Sequence, residues 1–254
     1  MTPRVRIALA AAALFVSFRS AAAQPVDWGT VHQSASWYAT FVDHAITKST
    51  ALWFDGQWRR MGAGASPQQL LLRPGIQRTI APGVRIATGY AYVATAPYGE
   101  RPAATPLREH RTWQQLVLNH RAGPLTVIHR YRWEQRWLAS VRSGLSPGHT
   151  RTGPWGYQQR ARYMARAQGS IPGVRLSGRA VMGFAWDELL LPVGHGDAIA
   201  RIAQNRLAAG IGIPIDARQR VEISYMNLWN ALPGVRTNEV NHTVSVGWVW
   251  VSTK

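Results

Sequence analysis

The sequence predicts an all-β protein: a single antiparallel up-and-down transmembrane β-barrel of about twelve strands, with ten strands as the alternative. Three observations predict this fold. The N-terminus has the pattern of a secretory signal, the rest of the chain alternates apolar and polar residues in repeated segments, and the connections between these segments are alternately short and long. Repeated segments of about ten alternating residues are typical of strands that form a membrane barrel.

The first residues indicate export. Arg4 and Arg6 give a basic start, residues 7–18 form an apolar run, and three alanines at 21–23 resemble a cleavage site. The sequence therefore predicts a signal peptide at 1–23 and one barrel domain at 24–254, beginning at Gln24. A buried N-terminal helix is the alternative, but the run is too short to span a bilayer and its flanks fit a signal. We expect the bacterial outer membrane, with the periplasm as the alternative.

The strand prediction rests on a period of two residues. The segments lie near 32–43, 50–61, 68–79, 84–95, 108–120, 125–138, 155–168, 174–187, 200–213, 218–229 and 239–252. Bacterial single-chain barrels have an even number of strands, so residues 25–31 are expected to supply one more or to enter the lumen. Short connections are predicted near 44–49, 80–83, 120–124, 169–173 and 214–218, and longer ones near 94–107, 139–154, 188–198 and 230–238.

The segment at 125–138 shows the alternation best. Val127, Tyr131 and Trp133 share one face, and Arg130, Arg132, Glu134 and Arg136 share the other. The last strand similarly carries Val244, Val246, Trp248 and Trp250 on one face. In a membrane barrel the apolar face contacts lipid and the polar face lines the lumen. The tryptophans are expected in girdles at the two membrane interfaces: Trp28, Trp37, Trp53, Trp58, Trp113, Trp133, Trp186, Trp229, Trp248 and Trp250.

The formal net charge is +17, and almost all of the basic residues are arginines, since only Lys48 and Lys254 are lysines. Projecting the strands into one barrel places twelve candidate binding residues in the lumen: Arg73, Glu109, Arg111, Arg130, Arg132, Glu134, Arg136, Arg160, Arg162, Arg166, Arg206 and Glu222. These side chains can form a bridged network that plugs the barrel. Alternatively, the excess of arginine can attract small anionic solutes to a passage.

Other chemistry has little support. The chain has no cysteine, and no metal site, cofactor motif or catalytic residue is predicted. Asp187, Glu188 and Asp197 are interpreted as solvated loop carboxylates. A lipid or lipopolysaccharide hydrolase is the alternative function, with candidate residues His110, His120, His129, Asn241, His242 and Ser245.

The expected partners follow from the compartment rather than from a motif. They are outer-membrane lipid, lipopolysaccharide, small anionic solutes and, during biogenesis, the barrel assembly machinery. An exported protein rarely meets nucleic acid, so the basic charge is not assigned to it.

Six short motifs in order carry a resemblance to a family. They are 73–75 (RPG), 89–92 (GYAY), 109–115 (EHRTWQQ), 130–136 (RYRWEQR), 204–210 (QNRLAAG) and 222–227 (EISYMN). Together they resemble the domain-of-unknown-function family 2490, from about Trp37 to Trp248. The resemblance implies an exported, barrel-like protein of Gram-negative bacteria and no assigned activity. The loop at 139–154 and the C-terminal tail depart from the pattern.

Overall fold

The structure, a computed structural model, describes residues 29–100, 102–143, 150–194, 202–232 and 236–252. The predicted signal peptide and the predicted mature terminus at Gln24 lie outside these residues. No helix in the described ranges is long and apolar enough to cross a membrane.

Twelve strands make up the described chain. They are β1 (Gly29–Ala45), β2 (Thr50–Met61), β3 (Ser66–Ala81), β4 (Val84–Thr95), β5 (Leu107–Ala122), β6 (Leu125–Ser143), β7 (Thr150–Thr152), β8 (Gly156–Leu176), β9 (Arg179–Val193), β10 (Gln204–Pro214), β11 (Gln219–Leu232) and β12 (Thr237–Val251). The predicted all-β fold is confirmed.

The strands close into a barrel. Each wall strand pairs antiparallel with the next, β6 pairs directly with β8, and β12 returns to pair with β1. The β1–β12 pair is parallel, with Gly29 opposite Thr237 and Asp43 opposite Val251. The wall contains eleven of the described strands, whereas β7 pairs only with the end of β6.

The parallel seam is the difference from a wholly antiparallel barrel. With an odd number of strands in the wall, the first and last strands run in the same direction and can pair only in parallel. The eleven alternating segments of the sequence correspond to these eleven wall strands. The twelfth described strand is β7, which comes from the 139–154 connection, while residues 29–31 begin β1 and residues 25–28 lie outside the described residues.

The connections differ between the two ends of the barrel. Short turns join strands at one end, and the β4–β5, β6–β8 and β9–β10 connections at the other end are longer. The turn predicted at 169–173 was wrong, because those residues belong to β8, which accommodates an irregularity between Ser170 and Arg175. The turn lies at Ser177 and Gly178, whose φ angles are 48° and 77°. Two positive φ angles suit a two-residue hairpin turn.

The two faces of the wall have opposite chemistry. The outer face is apolar, and its exposed side chains include Leu52, Trp58, Ile76, Tyr131 and Val244. The enclosed face carries most of the charge. Many arginine and carboxylate side chains are buried there, whereas the core of a soluble protein rarely buries charged side chains. The faces predicted for the segments at 125–138 and 239–252 agree with this arrangement. The lumen is therefore where the charged residues meet.

Candidate functional site in the barrel lumen

The twelve residues predicted to line the lumen all lie on the inner face of the wall. They come from six strands: Arg73 from β3; Glu109 and Arg111 from β5; Arg130, Arg132, Glu134 and Arg136 from β6; Arg160, Arg162 and Arg166 from β8; Arg206 from β10; Glu222 from β11. Alternation on a strand is sufficient to place them on one face, because every second side chain points inward. Their role in binding a solute stays a prediction.

Glu134 is the centre of this arrangement. Its side chain has no solvent exposure and lies near four arginines. Its Oε1 accepts a hydrogen bond from Arg162 Nη1 at 2.8 Å and lies 3.3 Å from Arg111 Nη1, while Oε2 accepts from Arg160 Nε at 2.8 Å. Arg73 Nη1 is 3.7 Å from Oε1. One carboxylate thus links β3, β5 and β8 to β6.

Glu188 is a second centre. Arg162 Nη2 donates to both of its oxygens at 2.8 Å, and Arg130 Nη2 donates to Oε1 at 2.8 Å. Arg206 Nη1 lies 3.4 Å from Oε2. Because Arg162 pairs with both Glu134 and Glu188, the two centres form one network.

The interpretation of Asp187 and Glu188 as loop carboxylates was wrong, because both lie in β9. The apolar run after them, Leu189 to Leu191, continues the strand. Glu188 faces the lumen, whereas Asp187 faces outward and accepts a hydrogen bond from Asn205 at 2.7 Å. Asp197, the third carboxylate of that prediction, lies outside the described residues.

Two further carboxylates extend the network. Asp55 of β2 pairs with Arg73, and Glu109 pairs with Arg111 and Arg136. We call the whole connected set the central network. It consists of Asp55, Arg73, Glu109, Arg111, Arg130, Glu134, Arg136, Arg160, Arg162, Glu188 and Arg206. Its seven arginines exceed its four carboxylates, so it carries a positive charge.

A separate ion-pair group lies closer to the short turns. Glu222 accepts hydrogen bonds from Arg166 Nη2 at 2.8 Å and from Arg220 Nε at 2.9 Å. Arg166 also lies over the ring of Phe184, with its Cζ 4.2 Å from the ring centroid. This group has two guanidinium groups for one carboxylate and adds to the positive charge of the lumen.

Two arginines of the lumen, Arg59 and Arg132, have no carboxylate partner among the described contacts and lie over tryptophan rings instead. Arg59 stacks over Trp37 at 3.7 Å and donates to Gln57 and Gln69. Arg132 donates to Gln115 and lies over Trp53 and Trp113. Guanidinium groups are attracted to the faces of indole rings, so aromatic residues compensate part of the buried charge.

These contacts change the prediction for the tryptophans. Trp37, Trp53, Trp113 and Trp186 line the interior of the barrel and are not in an outer girdle. Trp58, Trp133 and Trp248 are exposed on the outer face, and their place in a girdle at a membrane interface stays a prediction. Trp28 lies outside the described residues. Alternation carried a signal for these faces, because Trp53 has the same parity as Asp55, and Trp113 the same parity as Arg111.

The central network divides the lumen into two chambers. The turn-side chamber has a volume of about 260 Å³, and the loop-side chamber about 100 Å³. Trp37, Arg162 and Arg206 line both chambers and so lie between them. Tyr98, in the β4–β5 loop, lines the loop-side chamber and packs against the cluster around Trp37. Burial raises the pKa of the Tyr98 phenol to about 12.

Several buried donors of the central network have no hydrogen-bond acceptor within the described chain. They are Arg73 Nε and Nη1 and Arg206 Nε, and outside the network Arg132 Nη1 is in the same position. A buried N–H without an acceptor is costly, and for a charged group the cost is larger. The interior therefore has unused capacity to bind an acceptor.

Sequence reasoning missed Asp55, Arg59 and Glu188. For Asp55 and Arg59 a signal was present, because Asp55, Gln57 and Arg59 alternate with Phe54, Gly56 and Trp58. The polar set of β2 belongs to the lumen by the same rule that identified β6. Glu188 was missed because β9 was predicted to end at residue 187.

The candidate residues of the alternative hydrolase do not meet at one site. His242 faces outward, whereas Asn241 and Ser245 of the same strand face inward. His110 contacts Tyr90 and His129 contacts Tyr163 on the outer face, and His120 stacks on His129. Across the described ranges, no group of three or more histidine, cysteine or acidic side chains has the arrangement of a metal site.

Comparison with known proteins adds one match. The profile of the family described as "Protein of unknown function (DUF2490)" matches residues 34–239, most of the chain. No curated protein and no solved structure matches the chain significantly.

Proposed function

Since the chain belongs to the DUF2490 family of proteins of unknown function, we propose its function from the lumen: it is an outer-membrane barrel whose interior is closed by the central network and favours anions. The observation that carries this proposal is Glu134, which has no solvent exposure and is surrounded by four arginines between the two chambers. A wall of eleven strands is wider than the roughly eight-stranded barrel that side chains just fill, and here long arginine side chains extend into the lumen to reach Glu134 and Glu188.

The membrane location is part of the proposal. The outer wall exposes large apolar side chains on most strands, and the charged residues are enclosed, as expected of a barrel in lipid. Lipid and lipopolysaccharide would then contact the outer wall, and the barrel assembly machinery would insert it. Cell fractionation tests the location: the mature chain should appear in detergent-extracted outer membranes and migrate differently on gels before and after heating. Recovery in the soluble periplasmic fraction would contradict it.

Planar bilayers test the closed lumen. The wild-type protein should give little or no steady conductance, because the central network fills the path. The double variant Glu134→Ser/Arg162→Ser removes a pair of opposite charges and the volume that separates the chambers. It should produce discrete openings with a reversal potential that favours chloride over potassium, since arginines remain in excess.

A matched control uses another ion pair of the lumen. Arg166→Ser/Glu222→Ser makes the same chemical change outside the central network and should stay silent. Large conductance of the wild-type protein would show that the lumen is open, and a preference for cations in the opened variant would refute the preference for anions.

A second candidate, lipid or lipopolysaccharide hydrolysis, has one supporting observation. The strand registers place Asn227, His242 and Ser34 side by side on the outer wall, on β11, β12 and β1. These residue types suit nucleophilic catalysis. However, His242 Nδ1 lies 2.6 Å from the Tyr225 hydroxyl, and its Nε2 lies 3.2 Å from His32 Nδ1, so neither ring nitrogen contacts Ser34.

Acyl release from labelled lipid by the purified barrel decides this second candidate. Activity that is lost in both His242→Ala and Ser34→Ala, but kept in Ser245→Ala, would establish it. The inward-facing Ser245 is a matched control on the same strand as His242. Absence of acyl release from phospholipid and lipopolysaccharide would exclude it.

A further inference from the structure

The turn-side chamber has the features of a binding site. Its volume of about 260 Å³ is large enough for a small organic molecule. The floor is the central network, and the side away from the floor approaches the short turns, where Phe41, Arg220 and Val249 lie on the wall. A ligand that enters from the short-turn end would meet this chamber before the central network.

The chamber is positively charged. Six arginines and three carboxylates line it, which leaves three positive charges in excess. Two of these arginines have unused donors: Arg73 Nε and Nη1, and Arg206 Nε. Their residues are only 3% and 8% exposed. Arg73 Nη1 is 3.7 Å from Glu134, which is too far for a hydrogen bond. Within the described residues these donors have no acceptor, so the two arginines have unsatisfied hydrogen-bonding capacity at the chamber wall.

The remaining walls are apolar. Trp53, Trp186 and Phe184 contribute aromatic rings, and Met164 and Met226 contribute flexible thioether side chains. An inorganic anion would pair with the arginines but leave this apolar surface unused. A cation of the same size would be repelled. The lining therefore matches a molecule that has an anionic head and an apolar body.

We propose that the turn-side chamber binds a small organic carboxylate, with the carboxylate at Arg73 and Arg206 and the apolar body against Trp53, Phe184 and Trp186. This proposal rests on the closed, anion-favouring lumen proposed above and names the class of its ligand. The carboxylate accepts charge-assisted hydrogen bonds from the free guanidinium donors. Burial of the apolar body on the aromatic walls adds the rest of the affinity.

Benzoate is the probe for this test. Calorimetric titration of the full-length barrel in detergent micelles should show saturable binding of benzoate, with quenching of tryptophan fluorescence. Benzamidinium, which has the same ring and the opposite charge, should not bind, and inorganic phosphate should bind more weakly because it has no apolar body.

Two variants test the arginine site in opposite directions. Arg206→Gln should weaken benzoate binding by about tenfold, the loss expected when one charge-assisted hydrogen bond is removed. Glu222→Gln removes a negative charge from the chamber lining and should tighten binding. Arg85→Gln is the matched control: Arg85 pairs with Asp43 near the short-turn end and does not line the chamber, so affinity should not change. Heat-modifiable migration verifies that each variant is folded.

The outcomes separate the two proposals. If the wild-type barrel is folded and silent in bilayers but does not bind benzoate, the ligand assignment fails and the closed lumen stands. If benzoate binds equally well to wild type, Arg206→Gln and Glu222→Gln, the site lies elsewhere and the assignment also fails. Steady conductance of the wild-type protein would refute the closed lumen independently of any binding.

Discussion

At the scale of single residues, the central network depends on which carboxylates are enclosed. Glu134 and Glu188 together contact six different arginines, so each carboxylate compensates several guanidinium groups. A buried charge without its partners is strongly unfavourable, because the interior solvates ions poorly. Loss of a carboxylate at the centre should therefore affect stability more than loss of any one arginine.

Glu134→Gln tests this dependence. The variant keeps the size of the side chain but leaves four arginines without their shared negative charge, so the free energy of unfolding should fall by about 3–5 kcal/mol. Denaturant unfolding of the barrel in detergent measures the change.

Glu100→Gln is the control, because Glu100 is exposed in the β4–β5 loop and the substitution is chemically identical. It should alter stability by less than about 0.5 kcal/mol. Equal effects of the two substitutions would show that Glu134 is not the centre of the network.

At the scale of the elements, two glycines leave room for a tryptophan to pack against the wall. Gly75 of β3 and Gly89 of β4 pair directly, and the indole of Trp113 covers both from the inside. A Cβ on Gly89 would lie 2.7 Å from Trp113 Cζ2 and overlap the carbonyl oxygen of Pro74. The three residues belong to three of the six family motifs, so these short motifs meet at one packing contact.

Gly89→Ala should lower the free energy of unfolding by about 1–3 kcal/mol, as is usual for an overpacked site. Gly156→Ala is the matched control within a strand, because the nearest atom to its added Cβ is the Leu138 carbonyl oxygen at 3.8 Å. Denaturant unfolding compares them. A Gly89→Ala variant as stable as Gly156→Ala would contradict the close packing of Trp113.

The register of the parallel β1–β12 pair can be tested with an introduced disulfide. The chain has no cysteine, so an introduced pair can be oxidised without interference. Ser36 of β1 is opposite Val244 of β12. Ser36→Cys/Val244→Cys should form a disulfide, because neighbouring strands lie about 4.8 Å apart, within the range that a disulfide bridges.

Gel mobility with and without reductant detects this cross-link. The control pair Ser36→Cys/Trp248→Cys is displaced by four residues, or about 13 Å along the strand, and should stay reduced. Cross-linking of the displaced pair alone would show that the barrel closes in another register.

At the scale of the whole molecule, the distribution of polarity is inverted relative to a soluble sandwich. Arginine and glutamate side chains are enclosed, while isoleucine, leucine, valine and aromatic side chains cover the outside. In water this surface would be an association hazard, whereas in hydrocarbon it is the stable arrangement.

Val244→Arg tests the environment of the outer wall. Val244 is exposed near the middle of β12, so arginine there should destabilise the barrel in lipid vesicles by about 2–4 kcal/mol. Ile46→Arg, in the exposed β1–β2 turn, should have an effect of less than about 0.5 kcal/mol. Equal, small effects of the two substitutions would place the outer wall in water.

The sequence by itself determined the strands and their faces. Alternation with a period of two is a local property, so β6 and β12 could be assigned an inner and an outer face, and the arginines of β8 could be placed in the lumen, without knowledge of any contact. Glu188 was missed because the strand was predicted to end at residue 187, whereas pairing with β8 and β10 keeps residues 187–190 in a strand.

Only the tertiary structure decided how the wall closes and which side chains form ion pairs inside it. The parallel β1–β12 seam depends on pairing across more than 200 residues, which alternation does not encode. The partners of Glu134 depend on the order of strands around the barrel, and so does the contact of Arg132 of β6 with Trp113 of β5. Local patterns fix the direction in which a side chain points, but closure of the barrel brings these side chains within hydrogen-bonding distance.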